Sequence, residues 1–346
     1  MDNSEDRLEE QDLSPAMETN EAIINSPSDT EGLTKVLPKY RKQHQPENVW
    51  MKSIISLALY LALGYYIFKQ WEILLLITAI VMIHELGHFF AMKFFKYNDL
   101  GIFFIPLLGA YVSGSKREVS QKQSAIILMA GPLPGIIIGI ILYLIDQNGS
   151  GYSLLKISYS KIAFLFIILN LINLFPIYPL DGGQLLNRVF LNEESGWSKF
   201  FIFLSIVILC WAAIAIPFYV LLIFPAMMLL RMFGEKNISS IEKRIEEEGI
   251  NTDLEYEDLP DEDYWKIRNI LIEDYPAFKD VNPAPPFEYD EKEEKIMTTI
   301  QSLLHRHLIQ DMSIARKILI FLIWIVAIAS PWLLKMDIPF LRQFGL

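Results

Sequence analysis

Long apolar blocks decide what this chain can become. They run from about 51 to 68, 71 to 94, 123 to 145, 160 to 175, 199 to 214, 216 to 233 and 315 to 334. A helix needs about 20 predominantly apolar residues to cross a hydrocarbon layer of roughly 30 Å. The expected fold class is therefore an all-α polytopic membrane protein with about seven transmembrane helices. Of the 346 residues 52% are hydrophobic, yet the formal net charge is −11. The two figures agree because acidic residues gather in 1–49 and 234–312, outside the apolar blocks. Acidity in the polar parts excludes a nucleic-acid partner, which calls for a basic patch.

Four regions follow. Residues 1–49 read as a disordered acidic tail ending in the basic patch Lys39-Tyr40-Arg41-Lys42, with no cleavable signal peptide expected. Residues 50–233 form a membrane core of about six spans, 234–312 a soluble acidic helical insert, and 313–346 a final span and short tail. Inside the core, GIFFIPLLGAYVSG at 101–114 breaks the helical pattern with Gly101, Pro106, Gly109 and Gly114. It suits a β-hairpin or re-entrant loop embedded in the membrane against protein. Pro217 and Pro225 divide 199–233 into two spans. In the insert, Ser239-x-x-Glu242 opens a helix ending at Gly249. A second helix falls around Trp265–Ile272, and a third follows Pro283–Pro286. The lysines and arginines place the N-terminus and the insert on the cytoplasmic side and the C-terminus outside. Lack of a transit peptide and a compact core favour a bacterial cell (inner) membrane. Cys210, the single cysteine, allows no intrachain disulfide and reads as a small buried hydrophobe.

The chemistry sits in IVMIHELGHFF, residues 80–90. Positions four apart share one helix face, about 6 Å along the axis. His84 and His88 so placed can share one zinc ion, with Glu85 close enough to act on water there. The bland alternative is an interhelical histidine pair satisfied by Glu85. Against it stands the cost of ionisable groups inside a span. A third candidate ligand, Asp181, also lies in the Pro-x-x-Pro-x-Asp-Gly-Gly turn at the end of another span. Both spans run outside to inside, so the three groups can meet in the cytoplasmic half. Asn170 and Asn173 are candidate substrate or oxyanion donors, with interhelical hydrogen bonding as the alternative. His305 and His307 are spaced two apart, face different ways on a helix, and read as solvated surface.

HELGH, then AGPLPG, then NLINLFPIYPLDGG resembles the site-2 protease family of intramembrane zinc metalloproteases. The likeness covers roughly 71–190 and includes Asn173, Pro176, Pro179, Asp181 and Gly182 of the second motif. It implies one Zn2+ per chain on His84, His88 and Asp181, with Glu85 as catalytic base. It also implies hydrolysis of membrane-anchored proteins within or next to a transmembrane segment, and hence the lipid bilayer and such proteins as partners. The chain departs from the family at Gly131-Pro132-Leu133-Pro134-Gly135, where relatives often continue Gly-Pro-x-x-Asn. Competing functions are a catalytically silent helix-binding scaffold and a metal transporter. The intact HELGH and Asp-Gly-Gly argue against the first. The lack of a second polar constellation across the bilayer argues against the second. The 101–113 hairpin could pair with an unwound substrate by strand addition.

Overall fold

The computed structural model describes residues 36–41, 49–106, 108–116, 119–147, 153–154, 157–191, 195–304, 308–334 and 336. Most of the tail and the His305/His307 pair lie outside them. Helix α1 (Val49–Phe68) and helix α2 (Trp71–Phe94) form an antiparallel start to the apolar body. Strands β1 (Asn98–Ile105) and β2 (Gly109–Ser115) then pair antiparallel, with Phe103 opposite Tyr111 and Ile105 opposite Gly109. The hairpin leans on α1: the Phe104 amide donates to Ser56 Oγ at 3.1 Å, and Phe104 is buried with Tyr60 and Leu74.

Strand β3 (Val119–Ser120) leads into α3 (Gln121–Ala130) and α4 (Pro132–Gln147). The sequence predicts one span over 123–145, and the structure breaks it at Gly131. Pro132 cannot donate an amide hydrogen bond, and its ring starts a new helix rather than continuing the old one. After the small ladder of β4 (Ser153–Leu154) and β5 (Ile157–Ser158), α5 (Tyr159–Leu174) ends as Phe175 turns extended ahead of Pro176. At 16 residues it is shorter than the length needed to cross a bilayer unaided. Helix α6 (Asp181–Leu185) passes into a π-helical turn at Leu186–Leu191.

Helix α7 (Gly196–Ala215) stops before Pro217, and a 3-10 turn at Tyr219–Leu222 precedes α8 (Ile223–Glu247). Pro225 falls in the first turn of α8, where a missing amide hydrogen costs little. Helix α8 runs on through Ser239, so the expected capping box is not a helix start. Helices α9 (Asp261–Asp274) and α10 (Glu293–Leu303) follow, then β6 (Leu308–Ile309), which pairs parallel with β3, and α11 (Ile314–Leu333). Among the described residues five helical segments are long and apolar enough to cross a membrane: 49–67, 71–94, 121–147, 196–215 and 314–333. The other two blocks of the expected seven, 159–174 and 219–232, form shorter apolar helices.

The polar region has a core of its own. Ile241, Ile245, Leu259, Ile267, Leu271, Ile296, Ile300 and Leu303 are buried together, and Val36 and Tyr40 pack on them from the distant N-terminal segment. Arg268 and Glu293 form a buried pair, Nε to Oε1 at 2.9 Å and Nη2 to Oε2 at 3.1 Å. Tyr264 donates to the same carboxylate, and the Asp290 amide adds a bond at 3.0 Å. Removing one partner of such a pair leaves a charge buried without compensation, a loss of about 3–5 kcal/mol. Glu293→Ala is therefore expected to open α9 and α10, seen as lost amide hydrogen-exchange protection there, while α2 and α5 keep theirs. Unchanged protection in α9 would refute this role of the pair.

Candidate metal centre

Helix α2 carries its two histidines on the side that faces α3, α4 and α5, and His84, Glu85 and His88 are all buried. Each imidazole is oriented by a neighbour. His84 Nδ1 lies 2.8 Å from Asn170 Oδ1 on α5, and His88 Nδ1 lies 2.8 Å from the Ile127 carbonyl on α3. The Asn170 amide nitrogen donates to the Phe166 carbonyl at 2.7 Å, so its oxygen is the atom that faces His84. A ring nitrogen opposite an oxygen acceptor must carry the proton, and the other nitrogen then offers a lone pair. In the neutral rings both Nε2 atoms are thereby left as acceptors, pointing inward.

What they point at is a third acceptor. Asp181, first residue of α6, places Oδ2 at 3.0 Å from His84 Nε2 and 3.3 Å from His88 Nε2, while the two nitrogens are 3.1 Å apart. That oxygen is buried and has no hydrogen-bond partner. Three lone-pair donors converging in an apolar body repel one another unless a cation sits among them. Tetrahedral zinc with bonds of about 2.0–2.1 Å has ligands roughly 3.3–3.4 Å apart. The observed triangle is close to that size, so the donor set fits zinc. Glu85 lies within electrostatic reach of all three residues.

Two glycines make the approach possible. A Cβ on Gly131 would fall 2.2 Å from His88 Nε2, and one on Gly135 would fall 2.1 Å from Asn170 Nδ2. The absence of a side chain at Gly131 therefore provides the space that His88 fills. Gly135 lies against the amide that holds His84.

Asn170 occupies a place the sequence did not reveal. Both its amide atoms are engaged, and its side chain is 1% exposed. In this arrangement it stands behind His84, as in the interhelical hydrogen-bonding alternative. Asn173 donates back to the Leu169 carbonyl at 3.3 Å. The Ile127 carbonyl is a backbone group and leaves no side-chain signal in a sequence. Trp324 of α11 contributes at longer range, donating from Nε1 to the Leu174 carbonyl at 2.8 Å where α5 gives way to the Asp181 turn.

The helix holding the histidines falls in a known pattern. Residues 72–161 match peptidase family M50. Within the chain, 134 residues are 31% identical to Zinc metalloprotease MJ0392 of Methanocaldococcus jannaschii, 37% of this chain and 37% of that protein. A 197-residue stretch is 26% identical to Stage IV sporulation protein FB of Bacillus subtilis, 53% of this chain and 66% of that protein. These matches thus span only part of either relative. The solved Site-2 Protease from Methanocaldococcus jannaschii aligns at 22% identity over 51% of this chain and 84% of that one, with a TM-score of 0.38. That superposition is too loose to bear on the arrangement of the spans. The M50 match and the zinc metalloprotease relative agree with a donor set that fits zinc.

An outer-sphere partner of a metal-binding histidine is worth about 10–100-fold in metal affinity. Asn170→Leu, which removes the acceptor opposite His84 Nδ1, is expected to weaken zinc binding by about that factor in a chelator competition. Asn170→Asp keeps an acceptor there and is expected to retain more of the affinity. Equal affinity for the Leu variant and the native chain would remove Asn170 from the centre.

Proposed function

We propose that this chain is an intramembrane zinc metalloendopeptidase that hydrolyses membrane-anchored proteins within or next to a transmembrane segment. The observation that carries the proposal is the triangle of His84 Nε2, His88 Nε2 and Asp181 Oδ2, three potential ligand atoms within about 3.0–3.3 Å of one another on apolar helices. His84, His88 and Asp181 would hold the ion, which when bound supplies Lewis acidity toward water and the scissile carbonyl. Glu85 accepts a proton from the water and returns it to the amide nitrogen that leaves, so carboxylate and acid alternate on one side chain. Asn170 and the Ile127 carbonyl hold the imidazoles in the tautomer that faces inward.

A transmembrane helix shields its amides with its own hydrogen bonds, so a substrate must unwind before Glu85 can act. Strand β2 offers a place for the unwound segment. It has no second strand partner among the described residues, whereas the outer edge of β1 is met by Ser56 of α1. Extended peptides bind such edges through main-chain hydrogen bonds. The distribution of lysine and arginine supports a cytoplasmic N-terminus and acidic region and an outward C-terminus.

Glu85→Gln is expected to keep one zinc per chain while cleavage of a membrane-anchored reporter stops. His84→Ala, His88→Ala and Asp181→Ala are expected to lower zinc content as well. Cleavage by purified Glu85→Gln protein would refute the base assignment, and full zinc in any of the other three would remove that residue from the ligands. For orientation, a tag inserted at the exposed Asn251 should react only after cell lysis, and a tag after Leu346 should react in intact cells. Labelling of both from one side would overturn the proposed path.

A further inference from the structure

The segment Val36–Arg41 lies as an extended strap on the polar unit built from residues 241–304, more than two hundred positions away in sequence. Its contacts are those of a ligand in a groove. Three aromatic donors read its backbone: Trp265 Nε1 donates to the Leu37 carbonyl at 2.7 Å, Tyr289 Oη to that of Pro38, and Tyr256 Oη to that of Tyr40 at 2.6 Å. Aromatic donors aimed at the carbonyls of a proline-containing extended peptide are a recurrent mode of linear-motif recognition. Of the side chains, Leu37 and Pro38 point to solvent and only Lys39 is swallowed, at 5% exposure.

The pocket for Lys39 is fully furnished. Its Nζ donates to the carbonyls of Glu257 and Leu259, each at 2.5 Å, and lies 5.7 Å from the centre of the Tyr256 ring. Its amide donates to Asp261 Oδ1 at 2.9 Å, and Asp261, Glu257 and Asp258 lend negative potential around it. A primary ammonium on a flexible stem fits two carbonyls and a ring face; a planar guanidinium does not. The unit's core is meanwhile closed by its own residues. The strap adds only Val36 and Tyr40 at the rim.

We propose that this groove is a peptide-recognition site for extended juxtamembrane segments carrying Pro-Lys-Tyr or close chemistry, and that Val36–Arg41 is its resting occupant. That occupant is itself a basic segment joined to the first apolar helix by residues 42–48. The partner is therefore a membrane-anchored protein presenting a similar segment just ahead of its span. Its identity as a substrate rests on the protease reading; the binding itself does not. A tethered ligand competes at an effective concentration on the order of millimolar, so the cis strap keeps the groove closed to weak partners.

The test uses the full chain in lipid nanodiscs with a protease recognition sequence inserted within 42–48, so that every contact of the strap is kept until the linker is cut. The probe is a labelled peptide of residues 33–43, LTKVLPKYRKQ. After cutting, a hundredfold excess of peptide is expected to displace the native fragment. The cut protein should bind the peptide at least tenfold more tightly than the uncut protein. Replacing Lys39 by Gln in the peptide, or Trp265→Phe in the cut protein, is expected to cost at least fivefold. Zinc content and cleavage activity play no part in this readout, so its failure leaves the protease reading standing. A fragment that cannot be displaced overnight, a cut protein that does not take up the peptide, or loss of hydrogen-exchange protection in α9 and α10 on cutting would each overturn the proposal. Each of these would make the strap a fixed part of the fold.

Discussion

Three potential metal ligands brought to one buried point are the constraint around which the apolar body is arranged. In water such a triangle would relax by rotating a side chain or binding solvent. Here His84 is pinned by Asn170, His88 by the Ile127 carbonyl, and Asp181 by its position at the start of α6. A cation among the three groups would neutralise the repulsion between their lone pairs. Buried polar groups that are fully committed in this way specify one arrangement of helices more sharply than apolar contact does.

The same constraint explains the irregularities of the helices nearby. Any residue other than glycine at 131 would put a side chain where His88 needs to be. The glycine at 131 removes that side chain, and Pro132 restarts the helix beyond it. Helix α5 stops at Leu174 so that Asp181 can return toward α2, and it is correspondingly short. Departures from ideal spans thus cluster where three chain segments deliver donors to one point.

Much of this could be read in the sequence, for identifiable reasons. The spacing of His84 and His88 is a fixed property of helix geometry, and a carboxylate after two prolines announces a rigid turn, so the donors were legible. The polarity of Asn170 in an apolar run was legible too, but its partner was not, because the rotation of α5 against α2 is set by packing and not by any local signal. The split at Gly131 required knowing that His88 lies opposite. The strap at 36–41 looked like part of a polar tail. Nothing local distinguishes a lysine in solvent from Lys39 beneath Tyr256, since the pocket comes from residues two hundred positions later. Ser239 carried a valid cap pattern that α8 overrode by continuing through it.

The bond from Trp324 to the Leu174 carbonyl spans 150 positions of chain. The end of α5, from which Asp181 is hung, therefore waits for α11 before that carbonyl acquires this partner. At synthesis rates of about 5–20 residues per second, the wait is roughly 8–30 s. This fastening of the α5 end is thus a late product of biosynthesis. A chain arrested before its last helix would hold both histidines and the aspartate without the fastening that Trp324 adds.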